Sequence, residues 1–164
     1  MAYVDRHAVL VDATPDRVWA GVTSLGGDQR FYAPRVLWQV RCLADGLAGG
    51  PGWRITGPGR PLEAGDAMDF WEVVEVHPPT RLRLRAVTRL PGAAYLDIGV
   101  QASGARTELS LRTTFEPAGV AGHAYWWATV GAHAVTFALM TRRLAGLVVE
   151  REAAPDGVPP SGTP

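Results

Sequence analysis

The stretch PAGVAGHAYWWATVGAHAVTFALMTRRLAGLVV, Pro117 to Val149, decides the fold. From Pro117 to Thr141 it contains no Asp, Glu, Lys or Arg. His123, Trp126, Val130, His133, Phe137, Met140, Leu144 and Leu147 follow one another in steps of three and four, so all eight fall on one face of an α-helix. The stretch is long enough to span a bilayer. However, His123, His133, its threonines and Gly119, Gly122 and Gly131 interrupt it, and its large groups gather on one stripe. That is the pattern of a core helix covered on one side, and the cover has to be found elsewhere in the chain.

It is written upstream, where the period switches from helical to two. Ala67 to Val76 reads as a strand with Met68, Phe70, Glu72, Val74 and Val76 on one face and Asp69, Trp71, Val73 and Glu75 on the other. Arg81 to Leu90 sets Arg81, Arg83 and Arg85 against Leu82, Leu84 and Ala86. After Pro91-Gly92, Ala94 to Gln101 sets Leu96, Ile98 and Val100 against Tyr95, Asp97 and Gly99. After Ser103-Gly104, Thr107 to Phe115 turns Leu109, Leu111, Thr113 and Phe115 inward and Glu108, Ser110 and Arg112 outward. This is an antiparallel sheet with one wet and one covered face. The arginine run is a solvated strand face on this reading, with Glu108 and Arg112 as cross-strand neighbours.

Before the sheet, Ala2 to Val11 reads as a strand in which Val4, Ala8 and Leu10 alternate with Asp5, His7 and Val9, and either set can face inward. Thr14 is a good N-cap and Pro15 suits the first helical position, so a short helix follows and ends at Gly26-Gly27. Asp28 to Ala48 is a second helical text, with its start near Pro34. Residues 46–66 are crowded with Gly and Pro and read as a long loop. Residues 151–164 are Pro-, Gly-, Ser- and Thr-rich and are expected to be a disordered tail behind a single domain, 1–150. Strands followed by a long helix indicate an α+β fold with the helix on one sheet face.

The 164 residues suffice for one domain with a sizeable core, and 47% are hydrophobic. Sixteen basic residues, all arginine, balance sixteen acidic ones. A neutral chain lacks the basic excess that nucleic-acid binding needs, and a chain without lysine cannot form a lysine Schiff base. Cys42 is the only cysteine, which rules out an intramolecular disulfide and a thiolate metal cluster. His7, His77, His123 and His133 show no metal-ligand spacing, and neither a phosphate loop nor a Gly-x-Ser-x-Gly elbow occurs. No metal or cofactor is expected. The N-terminus lacks a signal peptide's basic start and continuous apolar segment, so a cytoplasmic protein is expected.

The corner Val11-Asp12-Ala13-Thr14-Pro15-Asp16-Arg17-Val18-Trp19 and the order of elements resemble the START-like superfamily, also called SRPBCC or helix-grip. A narrower resemblance is to a bacterial branch often fused behind an NAD(P)-binding, epimerase-like domain. It rests on Gly50-Pro51-Gly52, Gly65-Asp66-Ala67-Met68-Asp69-Phe70-Trp71, Leu82-Arg83-Leu84-Arg85-Ala86, Leu90-Pro91-Gly92, Phe115-Glu116-Pro117, Gly119 and Tyr125-Trp126. The resemblance implies a curved antiparallel sheet wrapped around the long C-terminal helix, with two short helices after the first strand and an apolar cavity between them. The chain carries no Gly-x-x-Gly-x-x-Gly after an N-terminal strand, so nicotinamide chemistry of fused relatives does not belong to it alone. The branch brings no established catalytic residues, and none is carried over.

In such a cavity large flat side chains would receive an apolar, aromatic or polycyclic ligand. Tyr32, Trp53, Trp71 and Tyr95 are the candidates outside the long helix, and Trp126, Val130, His133 and Phe137 are those on its stripe. Each aromatic taken singly is equally well a core residue. His133 is either a satisfied core histidine or a group that orients a ligand or moves protons. Asp69 and Glu75 are surface groups if they face outward and site candidates if inward, and the more apolar opposite face favours outward. Three functions follow, in this order. The first is binding of a small hydrophobic molecule. The second is a cyclase, aromatase or dehydratase using His133 as acid or base. The third is an interaction module for a separate oxidoreductase chain or a second copy, through a patch around Trp38, Trp53 and Trp127.

Overall fold

The structure, a computed structural model, describes residues 1–23, 60–68 and 71–153. The second helix expected within 28–48, together with Tyr32, Trp38, Trp53, Asp69 and most of the expected 46–66 loop, lies outside them. Six strands form one antiparallel sheet: β1 (Tyr3–Val11), β2 (Ala67–Met68), β3 (Trp71–His77), β4 (Arg81–Ala86), β5 (Gly92–Ser103) and β6 (Arg106–Pro117). The order across the sheet is β1-β6-β5-β4-β3-β2. Helix α1 (Pro15–Thr23) follows β1, and helix α2 (Gly119–Ala153) ends the described chain. This is the expected helix-grip α+β fold. Helix α2 runs three residues beyond the boundary set for the domain.

The alternation of β4, β5 and β6 is realised as read. Leu82 pairs with Ile98, Leu84 with Leu96, Ile98 with Leu111 and Val100 with Leu109, all on the covered face. Each of these side chains is buried. Strand β4 stops at Ala86 instead of Leu90, and β5 starts at Gly92, inside the expected turn. Gly92 has φ 151° and pairs with Pro117. A Cβ there would run into the Glu116 carbonyl and lie 3.0 Å from the Phe115 ring, so the strand can begin this close to β6 only with glycine.

Strand β3 departs from simple alternation. Val73 pairs with Leu84 but Glu75 pairs with Arg83, so Val74 is an extra residue, a β-bulge. The bulge inverts the parity of the strand. Trp71 and Val73 face the core with Val76, while Glu72 and Glu75 face out. Glu75 is therefore outward, as its polarity suggested, although it shares sequence parity with inward Trp71. The described part of the expected loop is tied to this strand. Gly65 N–H donates to the Val73 carbonyl at 2.8 Å, and Val73 N–H donates to the Asp66 carbonyl at 2.8 Å.

Strand β1 settles the choice left open by its sequence. Tyr3, Asp5, His7, Val9 and Val11 face the helix, and Val4, Arg6, Ala8 and Leu10 face solvent. The corner into α1 is locked by buried Thr107, whose hydroxyl donates to the Ala13 carbonyl at 2.6 Å.

Helix α2 lies over β1 and β6 and meets α1 near its far end. There Gly21 leaves room for Val148, whose Cγ2 would stand 2.7 Å from an added Cβ. At the near end Ala118 N–H donates to the Pro91 carbonyl at 2.9 Å, and Gly122 packs on backbone, with an added Cβ meeting the Pro91 carbonyl and lying 2.8 Å from Pro117 Cα. Among the described residues no helix is long and apolar enough to cross a membrane.

Two predictions follow from these contacts, both read by urea denaturation. Thr107→Val strands a buried carbonyl and is expected to lower stability by about 1–3 kcal/mol. Gly122→Ala is expected to cost about 1–3 kcal/mol because rigid backbone cannot yield, whereas Gly131→Ala, with nothing within 4 Å of its Cβ, is expected to gain about 0.5–1 kcal/mol of helix propensity.

Candidate functional site

The site is built where the N-terminal half of α2 crosses β1 and β6. Tyr3 opens β1 and turns toward the helix. Its ring stacks on Trp126 with centroids 4.7 Å apart and planes 9° from parallel. Its hydroxyl shares a hydrogen bond of 2.8 Å with His123 Nδ1. Phe115, the cross-strand partner of Tyr3, lies 6.0 Å from the Trp126 ring on a near-parallel plane. The aromatic series continues along the helix. The Trp126 and His133 rings are 6.4 Å apart, and His133 stacks on Phe137 at 5.9 Å. Helical spacing of three and four puts these rings in one row.

Burial changes along that row. Trp126 and Phe137 are buried, and Met140, Thr141, Leu144 and Val148 beyond them are also buried. Val130 and His133, between the two buried rings, are only half-buried. The edge strand beneath is incompletely buried over most of its length. Val11 is buried, whereas Tyr3, Asp5, His7 and Val9 are half-buried. The helix runs the same way as β1, since Tyr3 meets Trp126 at one end and α1 meets Val148 at the other. Tyr3 to His7 is about 13 Å of strand, and Trp126 to His133 is about 10 Å of helix. Measured along each element, Asp5 and His7 are about as far from the Tyr3–Trp126 contact as Val130 and His133 are.

Asp5 and His7 are a pair. The His7 Nε2–H donates to Asp5 Oδ2 at 2.9 Å, and the side chains keep 29% and 23% exposure for Asp5 and His7 respectively. Thr113 Oγ1 lies 3.5 Å from the Asp5 carbonyl. The sequence analysis did not single out Tyr3, Asp5 or His7. The available signal was their i, i+2, i+4 spacing, which puts all three on one strand face.

Of the eight proposed ligand-binding residues, Trp126, Val130, His133 and Phe137 come together on α2. Trp71 is buried in the sheet core. Tyr95 is not with them. Register puts it on the outer face beside Arg85, with the Arg83 guanidinium 5.0 Å from its ring centroid. Its sequence parity, opposite Leu96 and Ile98, already carried that placement. Tyr32 and Trp53 lie outside the described residues. Trp127 is 69% exposed, with its ring edge-on to Tyr3 at 6.1 Å.

The outer face holds a charge network of its own, and its partners are not those expected. Arg81 reaches Asp97 at 3.0 Å and Glu75 at 3.8 Å, and Arg85 reaches Glu72 at 2.8 Å. Glu108 pairs instead with Arg6 at 3.2 Å. The His77 ring, 2.6 Å from Glu75, holds that carboxyl below its usual range, helped by the Arg81 charge. Asp97 in turn raises the Arg81 guanidinium. These are neighbouring-strand ion pairs on a wet face, each worth little.

No curated protein matches the chain. Solved structures share its fold at low identity. A protein from Arthrobacter aurescens superposes with a TM-score of 0.59 at 14% identity, covering 90% of this chain and 86% of its own. Norcoclaurine synthase from Thalictrum flavum, as a point mutant in complex with a transition state analogue, gives 0.59 at 16% identity, covering 93% and 97%. A protein from Nitrosomonas europaea gives 0.57 at 14% identity, covering 92% and 97%. These likenesses show the START-like, Bet v1-like helix-grip fold. At the level of sequence, residues 1–140 match DUF2867, described as a protein of unknown function, and the chain belongs to that family.

Proposed function

We propose that the protein binds a small, flat, largely apolar molecule between the N-terminal half of α2 and strands β1 and β6. The observation that carries this reading is the gap in burial. Val130 and His133 are half-buried between buried Trp126 and Phe137, opposite half-buried Asp5 and His7. A helix packed only for stability would close there as it closes at Met140, Leu144 and Val148. The flanking residues Trp126 and Phe137 are aromatic, which suits a flat guest. That norcoclaurine synthase, of the same fold, is held in complex with a transition state analogue supports this use of the frame.

Magnitudes limit what apolar contact alone achieves. A two-ring aromatic that buries about 200–250 Å² gains about 5–6 kcal/mol. Micromolar affinity takes about 8 kcal/mol, so a polar contact of about 2–3 kcal/mol is needed in addition. Trp126, Val130, His133 and Phe137 supply the apolar walls in this reading. Binding is the primary activity, and acid or base chemistry by His133 requires a reactive guest.

The test is a titration with the fluorescent apolar probe N-phenyl-1-naphthylamine. One saturable site is expected. Val130→Trp fills the gap from the helix side and is expected to weaken binding at least about tenfold. Ala124→Trp, on the exposed side of the same helix, is expected to leave it unchanged. Equal binding by both variants, or none by the parent protein, contradicts the reading.

A further inference from the structure

Among the described residues the covered face of the sheet carries no ionisable side chain until it reaches β1, its other polar groups being Thr107 and Thr113 of β6. One row runs Val76, Leu82, Ile98, Leu111 and ends at His7. The next runs Val73, Leu84, Leu96, Thr113 and ends at Asp5. On the sheet, the ionisable groups under the helix are thus confined to the edge strand. Groups there that only needed solvent would be better placed on the other face of β1, where Val4 and Leu10 are exposed instead. The strand presents hydrophobes to water and an ion-pairing couple to the helix, which inverts the ordinary arrangement.

We propose that Asp5–His7 is the polar anchor of the binding site, and that its ligand carries a hydroxyl, phenolic or enolic, at one end of an otherwise apolar frame. This rests on the binding reading given above. The chemistry follows from the proton count. Asp5 accepts from His7 Nε2–H at 2.9 Å, which leaves the imidazole lone pair on Nδ1. In the neutral imidazole that nitrogen accepts a hydrogen bond. A ligand O–H therefore matches it, while an ether or a bare ketone offers no donor. A ligand carboxylate would in addition meet the Asp5 charge. If the proton passes from the ligand oxygen to Nδ1, its electron pair stays on that oxygen and Asp5 stabilises the imidazolium formed. Asp5 is a positioning residue, because it fixes the ring and its tautomer. Thr113 stands beside Asp5 on β6.

The experiment compares three probes of one shape, namely naphthalene, 2-methoxynaphthalene and 2-naphthol, by displacement of N-phenyl-1-naphthylamine. The parent protein is expected to prefer 2-naphthol to its methyl ether by at least about tenfold, the worth of one hydrogen bond to a charged pair. His7→Phe is expected to abolish that preference, and Asp5→Asn to reduce it, with naphthalene affinity unchanged in both. Naphthalene is the folding control, and a pair with a purely structural role would not move the hydroxyl-to-ether ratio. Equal affinity for naphthol and ether in the parent, or a preference that survives His7→Phe, overturns the anchor and leaves the binding reading standing. Failure of all three probes to bind overturns both.

Discussion

The docking of α2 on the β1 edge of the sheet is the constraint on which the other features depend. The helix carries no charge over its first two dozen positions, so it must be covered. It lies over β1 and β6 and is fixed at both ends by contacts that only small or flat groups allow. At one end Gly122 sits on the backbone of Pro91 and Pro117, and Tyr3 stacks on Trp126. At the other, Gly21 admits Val148. Both ends are fixed, and the contact between them is half-buried at Val130 and His133.

Energetics divide the molecule into a part that holds and a part that receives. Leu82, Leu84, Leu96, Ile98, Leu109 and Leu111 are fully buried and make the sheet face rigid. The outer face adds ion pairs such as Arg81–Asp97 and Arg85–Glu72, which favour the register at little energetic gain. Stability is therefore concentrated in β4, β5, β6 and the far half of α2. The near half is free to keep Val130, His133, Asp5 and His7 incompletely buried.

The fold was legible because two periods are written without ambiguity. The steps of three and four from His123 to Leu144 and the alternation from Leu82 to Phe115 each admit one reading. The proposed site was half legible. Trp126, Val130, His133 and Phe137 were named because they share a helix face. Asp5 and His7 were not, because the alternation in β1 lets either face turn inward and only tertiary contact decides. Glu75 shows a different limit. Its orientation depends on an extra residue at Val74, and a bulge leaves no mark in an alternation pattern. Tyr95 was offered for the cavity on size alone, against a parity that placed it outside. The partners of the arginine run depended on strand order, since β4 lies between β3 and β5 and so meets Glu72, Glu75 and Asp97.

The most direct test is an isotope-filtered NOE spectrum of the ¹³C,¹⁵N-labelled protein with unlabelled naphthalene. Intermolecular contacts to the Val130 methyls and to the Trp126 and His133 rings are predicted. Contacts confined to outer-face Tyr95 or exposed Trp127, with none to Val130, would show that the guest lies outside the proposed site and would contradict the account.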